Sequence, residues 1–114
     1  MIHNMRLQAL PFELIENGYK TIELRLYDDK RKSIAVGDTI IFSHTDIPEK
    51  TLEVFVKAVH IFENFGQLYA RLPLEKIGYM PGEIFDAKPS DMEQYYSEEE
   101  QRQYGVVGIE IQRV

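Results

Sequence analysis

The chain has no cysteine and no tryptophan, and only three histidines. Without cysteine there can be no disulfide, no thiolate zinc site and no cysteine nucleophile, which fits a reducing compartment. His3, His44 and His60 are scattered. No His-x-x-x-His pair or suitably spaced carboxylate joins them, so no metal or other cofactor is expected. No apolar run approaches the roughly 20 residues that cross a bilayer. The opening Met1-Ile2-His3-Asn4-Met5-Arg6 lacks the apolar core of a signal peptide. A cytoplasmic protein without a membrane partner is therefore expected. The glycines are isolated, so no phosphate-cradling glycine loop is present.

Excess positive charge is also missing. The formal net charge is −6, with eight Lys and Arg against nine Asp and Glu up to His60 and five against ten beyond it. Phosphate contacts need local cations, so a general, non-specific grip on duplex is excluded. A local cationic face near Lys20, Arg25 and Lys30-Arg31-Lys32 is not, although that last run is too short to be a nucleic-acid patch alone. The acidic C-terminal part offers a less specific alternative, a protein-interaction surface.

What is present suits one folded domain spanning residues 1–114, with 44% hydrophobic and 28% charged residues. Met5, Leu7 and Ala9 alternate with polar neighbours as in a first short strand. Pro11 suits the opening of a one-to-two-turn helix that buries Phe12 and Ile15, and Gly18 suits its left-handed stop. From Thr21 the period becomes two. Ile22, Leu24 and Leu26 point to one side, Thr21, Glu23, Arg25 and Tyr27 to the other. Asp28 to Lys32 reads as a charged loop and Val36-Gly37-Asp38 as a turn before a strand, Thr39 to Phe42.

Thr51 to Phe62 is the longest strand pattern. Its apolar residues lie on both faces, Leu52, Val54 and Val56 against Phe55, Val59 and Ile61, as in a wall covered on both sides. Asn64 caps a helix through Leu72, and Pro73 begins a second piece ended by Gly78. Met80 to Pro89 is turn-rich. The Ser-x-x-Glu pattern at Ser90–Glu93 and again at Ser97–Glu100 predicts two short helices, the second ending at Gly105. Val106 to Gln112 closes the chain as a strand. These elements predict a mixed α/β fold (α+β, mainly β), a small barrel of about five to six strands with short peripheral helices.

The chemistry concentrates in Gly18-Tyr19-Lys20-Thr21-Ile22-Glu23-Leu24-Arg25, where turn meets strand. Arginine offers a planar fork and lysine a mobile point charge for phosphate or carboxylate. Glu23 would hold a cation in place or accept from a base amino group. The plainer reading is a structural ion pair on the open side of a strand, a kind worth little when exposed. Tyr27, Tyr79, Tyr95, Tyr96 and Tyr104 are candidates for base stacking, or pack against helices. Tyr104 fits the packing role. Tyr95 and Tyr96 cannot both face inward from one helix.

The pattern Gly18-x-Lys20-x-x-Glu23-x-Arg25 resembles the signature of the ASCH domain family, a branch of the PUA-like superfamily. The resemblance covers nearly the whole chain and is to small stand-alone bacterial-type members. It is carried also by the helix before the motif, by Val36-Gly37-Asp38-Thr39-Ile40-Ile41-Phe42, by the helical stretch Phe65 to Gly78, and by Tyr104-Gly105-Val106-Val107-Gly108-Ile109. It implies a PUA-like β-barrel whose cleft is lined by Lys20, Glu23 and Arg25, with Gly18 making the turn; Tyr27, a stacking candidate, joins them as an expected ligand-binding residue. It also implies RNA, or a modified nucleoside, as partner. Some small bacterial relatives are amidohydrolases acting on acetylated cytidine, using the motif lysine, a threonine where this chain has Glu23, and a distant glutamate; another relative is a ribonuclease. The alternative it implies is therefore a small hydrolase, an N4-acetylcytidine-type amidohydrolase or a ribonuclease, with Lys20, Thr21 and Glu75 as catalytic residues.

Overall fold

The period-two segments pair into a single sheet that curls into a half-barrel. The computed structural model describes all of residues 1–114. The strands are β1 (Ile2–Leu7), β2 (Ile22–Leu26), β3 (Thr39–His44), β4 (Thr51–Phe62) and β5 (Val106–Arg113), ordered β1-β3-β4-β5-β2 across the sheet. β1 runs parallel to β3, and the other three pairings are antiparallel. The helices are α1 (Ala9–Glu16), α2 (Asp29–Lys32), α3 (Phe65–Arg71) and α4 (Glu98–Tyr104), with 3₁₀ turns at Leu74–Lys76, Pro81–Asp86 and Pro89–Gln94. This is the α+β, mainly β architecture expected, with five strands.

Two apolar clusters hold the sheet from its two faces. Inside the curl, Met5 and Leu7 of β1 meet Ile40 and Phe42 of β3, with Phe12 and Ile15 of α1 closing one end. On the other face, Ile22, Leu24 and Leu26 of β2 pack with Phe65 and Leu68 of α3. Gly108 of β5 makes that packing possible, because a Cβ there would meet Leu72 Cδ1 at 2.6 Å.

Several local readings change. α1 starts at Ala9, two residues before Pro11. The first N–H to find an intrahelical carbonyl is that of Phe12, which donates to Gln8 O at 3.0 Å, so the imide of Pro11 still sits among the N–H groups that a helix leaves free. The charged run after Asp28 is one helical turn. The Asp28 side chain caps it, accepting from Arg31 N at 3.1 Å and from Arg31 Nη1 at 2.9 Å. Ser97 and Glu100 form their reciprocal cap. Ser90 and Glu93 do not, because Asp91 already caps the Pro89–Gln94 turn through Lys88 N.

β4 is not covered on both sides along its length. Leu52, Val54 and Val56 are buried, whereas Phe55 on the outer face is about half exposed, as is Ile61, which pairs with Val107 and so lies on the inner side. A bulge at Lys57, between Val56 and Ala58 in the pairing with β5, then shifts the parity. Beyond it Val59, rather than an even-numbered residue, packs against the inner cluster. The histidines are individually satisfied. His3 Nε2 lies 2.7 Å from Asp38 Oδ2, His44 Nδ1 accepts from the N–H groups of Asp46 and Ile47, and His60 pairs with Glu110 at 2.9 Å.

Gly105 links α4 to β5 at φ 72°, ψ −175°, a region open essentially to glycine alone. Its carbonyl accepts from Tyr27 N and so extends the β2–β5 ladder, while a Cβ would lie 3.0 Å from the backbone oxygen of Phe62. Gly105→Ala is expected to destabilise the fold by about 1–3 kcal/mol, read as a lower urea midpoint with an unchanged m-value.

Candidate functional site

The site begins with the way α1 stops. Gly18, at φ 83°, lets the chain turn back so that Tyr19 N donates to Leu14 O and Gly18 N to Ile15 O, the paired bonds of a Schellman ending. Lys20 N also donates to Leu14 O at 3.1 Å, and Thr21 N to Lys76 O at 2.9 Å. The turn is thereby fixed before β2 begins. The Lys20 side chain then runs over Gly78, where an added Cβ would lie 3.5 Å from Lys20 Cδ and 3.8 Å from Nζ.

Strand register explains where the motif charges point. Glu23 is opposite Ile109 and Arg25 opposite Val107, and both of those β5 residues belong to the cluster inside the curl. Glu23 and Arg25 therefore face the barrel interior rather than the outer surface of the sheet. Lys20 Nζ lies 3.0 Å from Glu23 Oε1 and Arg25 Nε 2.8 Å from Glu23 Oε2, with side-chain exposures of 10%, 5% and 13% for Lys20, Glu23 and Arg25. Arg25 Nη2 also donates to Arg6 O at 2.7 Å. β2 and β1 are the outermost strands of the sheet, so this guanidinium bridges the open seam of the half-barrel.

Burial pushes the Glu23 carboxyl upward, but Lys20 and Arg25 outweigh it, and its pKa lies below the ordinary glutamate range. Burial likewise works against the Arg25 cation, and Glu23 more than restores it.

The three charges line a cleft of about 620 Å³. Leu10, Pro11 and Leu14 of α1 form an apolar wall; Tyr69, Tyr79, Tyr95 and Tyr96 line it as well. Tyr79 donates to Asp91 Oδ2 at 2.6 Å, and its oxygen is 2.8 Å from that of Tyr69. Because the Tyr79 proton is committed to the carboxylate, Tyr69 is the donor in the second bond. Burial, followed by the bond to Asp91, pushes the Tyr79 phenol well up, and the same bond lowers Asp91. Tyr95 and Tyr96 lie beyond the 3₁₀ turn that ends at Gln94, so the restriction on adjacent helical residues does not apply. Both line the cleft, and Tyr96 stacks on Phe65 with centroids 6.1 Å apart.

Of the residues singled out from sequence, Lys20, Glu23 and Arg25 come together in the cleft. Gly18 and Thr21 line a separate hollow that shares Lys20 with it. Tyr27 packs partly buried against the inner cluster, beneath Lys32, and Glu75 is exposed on the Leu74–Lys76 turn, outside the cleft lining. Lys20, Thr21 and Glu75 are thus not assembled as one set. Tyr69 and Asp91 were not singled out. Tyr69 lies on α3 and Asp91 in the Pro89–Gln94 turn; their sequence contexts mark a helix and a cap, and only the folded arrangement of those elements brings the two side chains to one cleft.

Glu23→Gln would leave two largely buried cations without their anion, at a cost of about 3–5 kcal/mol, read by denaturant titration. Since the folded Glu23 pKa lies below the reference 4.5, its contribution is complete above that reference and is lost as pH falls through the folded value. Glu23→Gln is expected to flatten that acid limb of the stability profile.

The ASCH domain model matches residues 5–114. The crystal structure of hypothetical protein PH0355 is 36% identical, with a TM-score of 0.81 and full coverage of both chains. The solution structure of protein PF0455 from Pyrococcus furiosus is 34% identical, with a TM-score of 0.68, covering 100% of this chain and 98% of that one. No curated protein matches the chain. The match to the domain over almost its whole length, together with these full-length structural likenesses, shows that this chain belongs to the ASCH domain family.

Proposed function

We propose that the cleft binds a nucleobase, carried by single-stranded RNA or by a free modified nucleoside. The observation that carries this reading is the Lys20–Glu23–Arg25 bridge, desolvated and fixed in a cleft that tyrosines also line. A volume of about 620 Å³ lies within the range of small-molecule sites and is ample for a nucleoside. Tyrosine rings give a base a stacking surface. A guanidinium has five N–H bonds; Arg25 commits two of them, to Glu23 and to Arg6 O, and three remain for a carbonyl or phosphate oxygen. Both Glu23 oxygens are already engaged, so its role is to hold the two cations rather than to read the base.

A hydrolase would use Lys20 as base against an acylated nucleoside or an RNA phosphodiester. The scatter of Thr21 and Glu75 away from the cleft favours binding over that alternative. Titration calorimetry with common nucleosides, N4-acetylcytidine and short single-stranded RNA at low salt is expected to show binding. Arg25→Lys, which keeps the charge and loses the fork, should weaken it about tenfold to a hundredfold, with circular dichroism reporting an intact fold. Silence across the whole panel would sink the proposal. Turnover of N4-acetylcytidine that disappears in Lys20→Ala would move the assignment to the hydrolase.

A further inference from the structure

Lys20 separates two concavities. On one side is the tyrosine-lined cleft; on the other is a hollow of about 560 Å³ to which Lys57, Lys76 and Arg113 contribute. We propose that this second hollow receives the phosphodiester backbone of RNA leading away from the nucleotide held in the cleft, an inference that rests on the nucleobase reading above.

The charges in the hollow are unevenly matched. Lys57, Lys76 and Arg113 take part in no ion pair, whereas of the hollow's two carboxylates Glu16 is paired with Lys50 at 3.6 Å and Glu110 is hydrogen-bonded to His60 at 2.9 Å. The cations are also positioned. Lys57 is the bulged residue of β4, and bulges re-aim side chains. Arg113 Nη1 donates to Glu16 O at 2.7 Å, which fixes its guanidinium. The Lys76 carbonyl accepts from Thr21 N at 2.9 Å, which ties the backbone at Lys76 to the turn that carries Lys20.

The lining also differs in kind from that of the cleft. Ile15 and Ile111 are its only apolar members and no aromatic ring is among them. Bases have nothing to stack on there, while phosphates meet positive charge. A basic track beside an aromatic pocket is the division of labour by which single strands are held, backbone on cations and base on rings.

The test is the length and salt dependence of binding. A nucleoside and single-stranded RNAs of three and six nucleotides are titrated against wild type and against Lys57→Gln/Lys76→Gln. Both positions are exposed, so the double variant should fold normally. Wild type is expected to bind the oligonucleotides more tightly than the nucleoside, with an affinity that falls as salt rises. The double variant is expected to bind the nucleoside unchanged, to lose the gain with length, and to show a slope of log K against log salt shallower by about 1.4, since each single-strand phosphate contact contributes about 0.7. If the nucleoside binds and extension adds nothing, or the double variant keeps the gain and slope of wild type, the hollow is not a backbone site, although the cleft reading stands. If neither nucleoside nor oligonucleotide binds wild type, the cleft reading fails and this inference fails with it.

Discussion

One guanidinium holds together what the backbone leaves apart. β1 and β2 are the two ends of the sheet, and an unsealed seam between edge strands presents unpaired backbone groups to any passing chain. Arg25 reaches from β2 to the carbonyl of Arg6 on β1. Doing so takes its charge into the interior, and a buried cation needs an anion. Glu23, two residues earlier on the same face, supplies one. It is in turn shared with Lys20, so the bridge has two cations for one carboxylate and a net positive charge facing the cleft.

In the proposed reading, that arrangement serves as a recognition surface. Charges held by each other and by a backbone carbonyl do not have to reorganise when a ligand arrives, and in a water-poor setting they act over short distances with little screening. The cost is borne by the fold, which must keep three ionised groups out of water. This is why the turn that delivers Lys20 is so fully specified, by the Schellman ending at Gly18, by the bond from Thr21 to Lys76, and by the absent side chain at Gly78. The tyrosine lining is organised in the same spirit. Tyr69 and Tyr79 form an ordered hydrogen-bond chain that ends on the accepting Asp91 carboxylate.

Much of this could be read before folding, and the remainder could not, for identifiable reasons. Parity alone places Glu23 and Arg25 on one face of β2, and Gly18 announces the turn. Parity does not say which face is inside. That depends on β2 pairing with β5 rather than with an earlier strand, a contact across more than eighty residues of chain, and so the bridge read as an exposed pair is a buried one. An apolar residue on a strand shows an available surface, not an occupied one, so the pattern does not reveal that Phe55 of β4 is left half exposed, and the bulge at Lys57 leaves no mark in it. Tyr69 reaches the cleft from α3 and Asp91 from the Pro89–Gln94 turn, and the local pattern that marks each element does not say which cleft it borders. Tyr27 shares parity with Glu23 and Arg25 but lies beyond the end of β2, where the chain has turned toward α2.

The overall acidity of the protein is consistent with a ligand that carries phosphate, because the two operate at different ranges. A net charge of −6 acts over distances that physiological salt screens within roughly 8 Å; the Lys20–Arg25 pair acts by contact. Part of the negative charge is also locally committed. Glu98, Glu99 and Glu100 sit in the first turn of α4, where they answer the helix dipole, and Glu100 is further tied to Ser97. On the proposed reading, such a surface disfavours nucleic acid in general while leaving one region where it can be held. Discrimination then comes from shape and desolvated hydrogen bonds rather than from charge alone, which is the condition a site needs if it is to distinguish one nucleobase from the rest of the RNA that surrounds it.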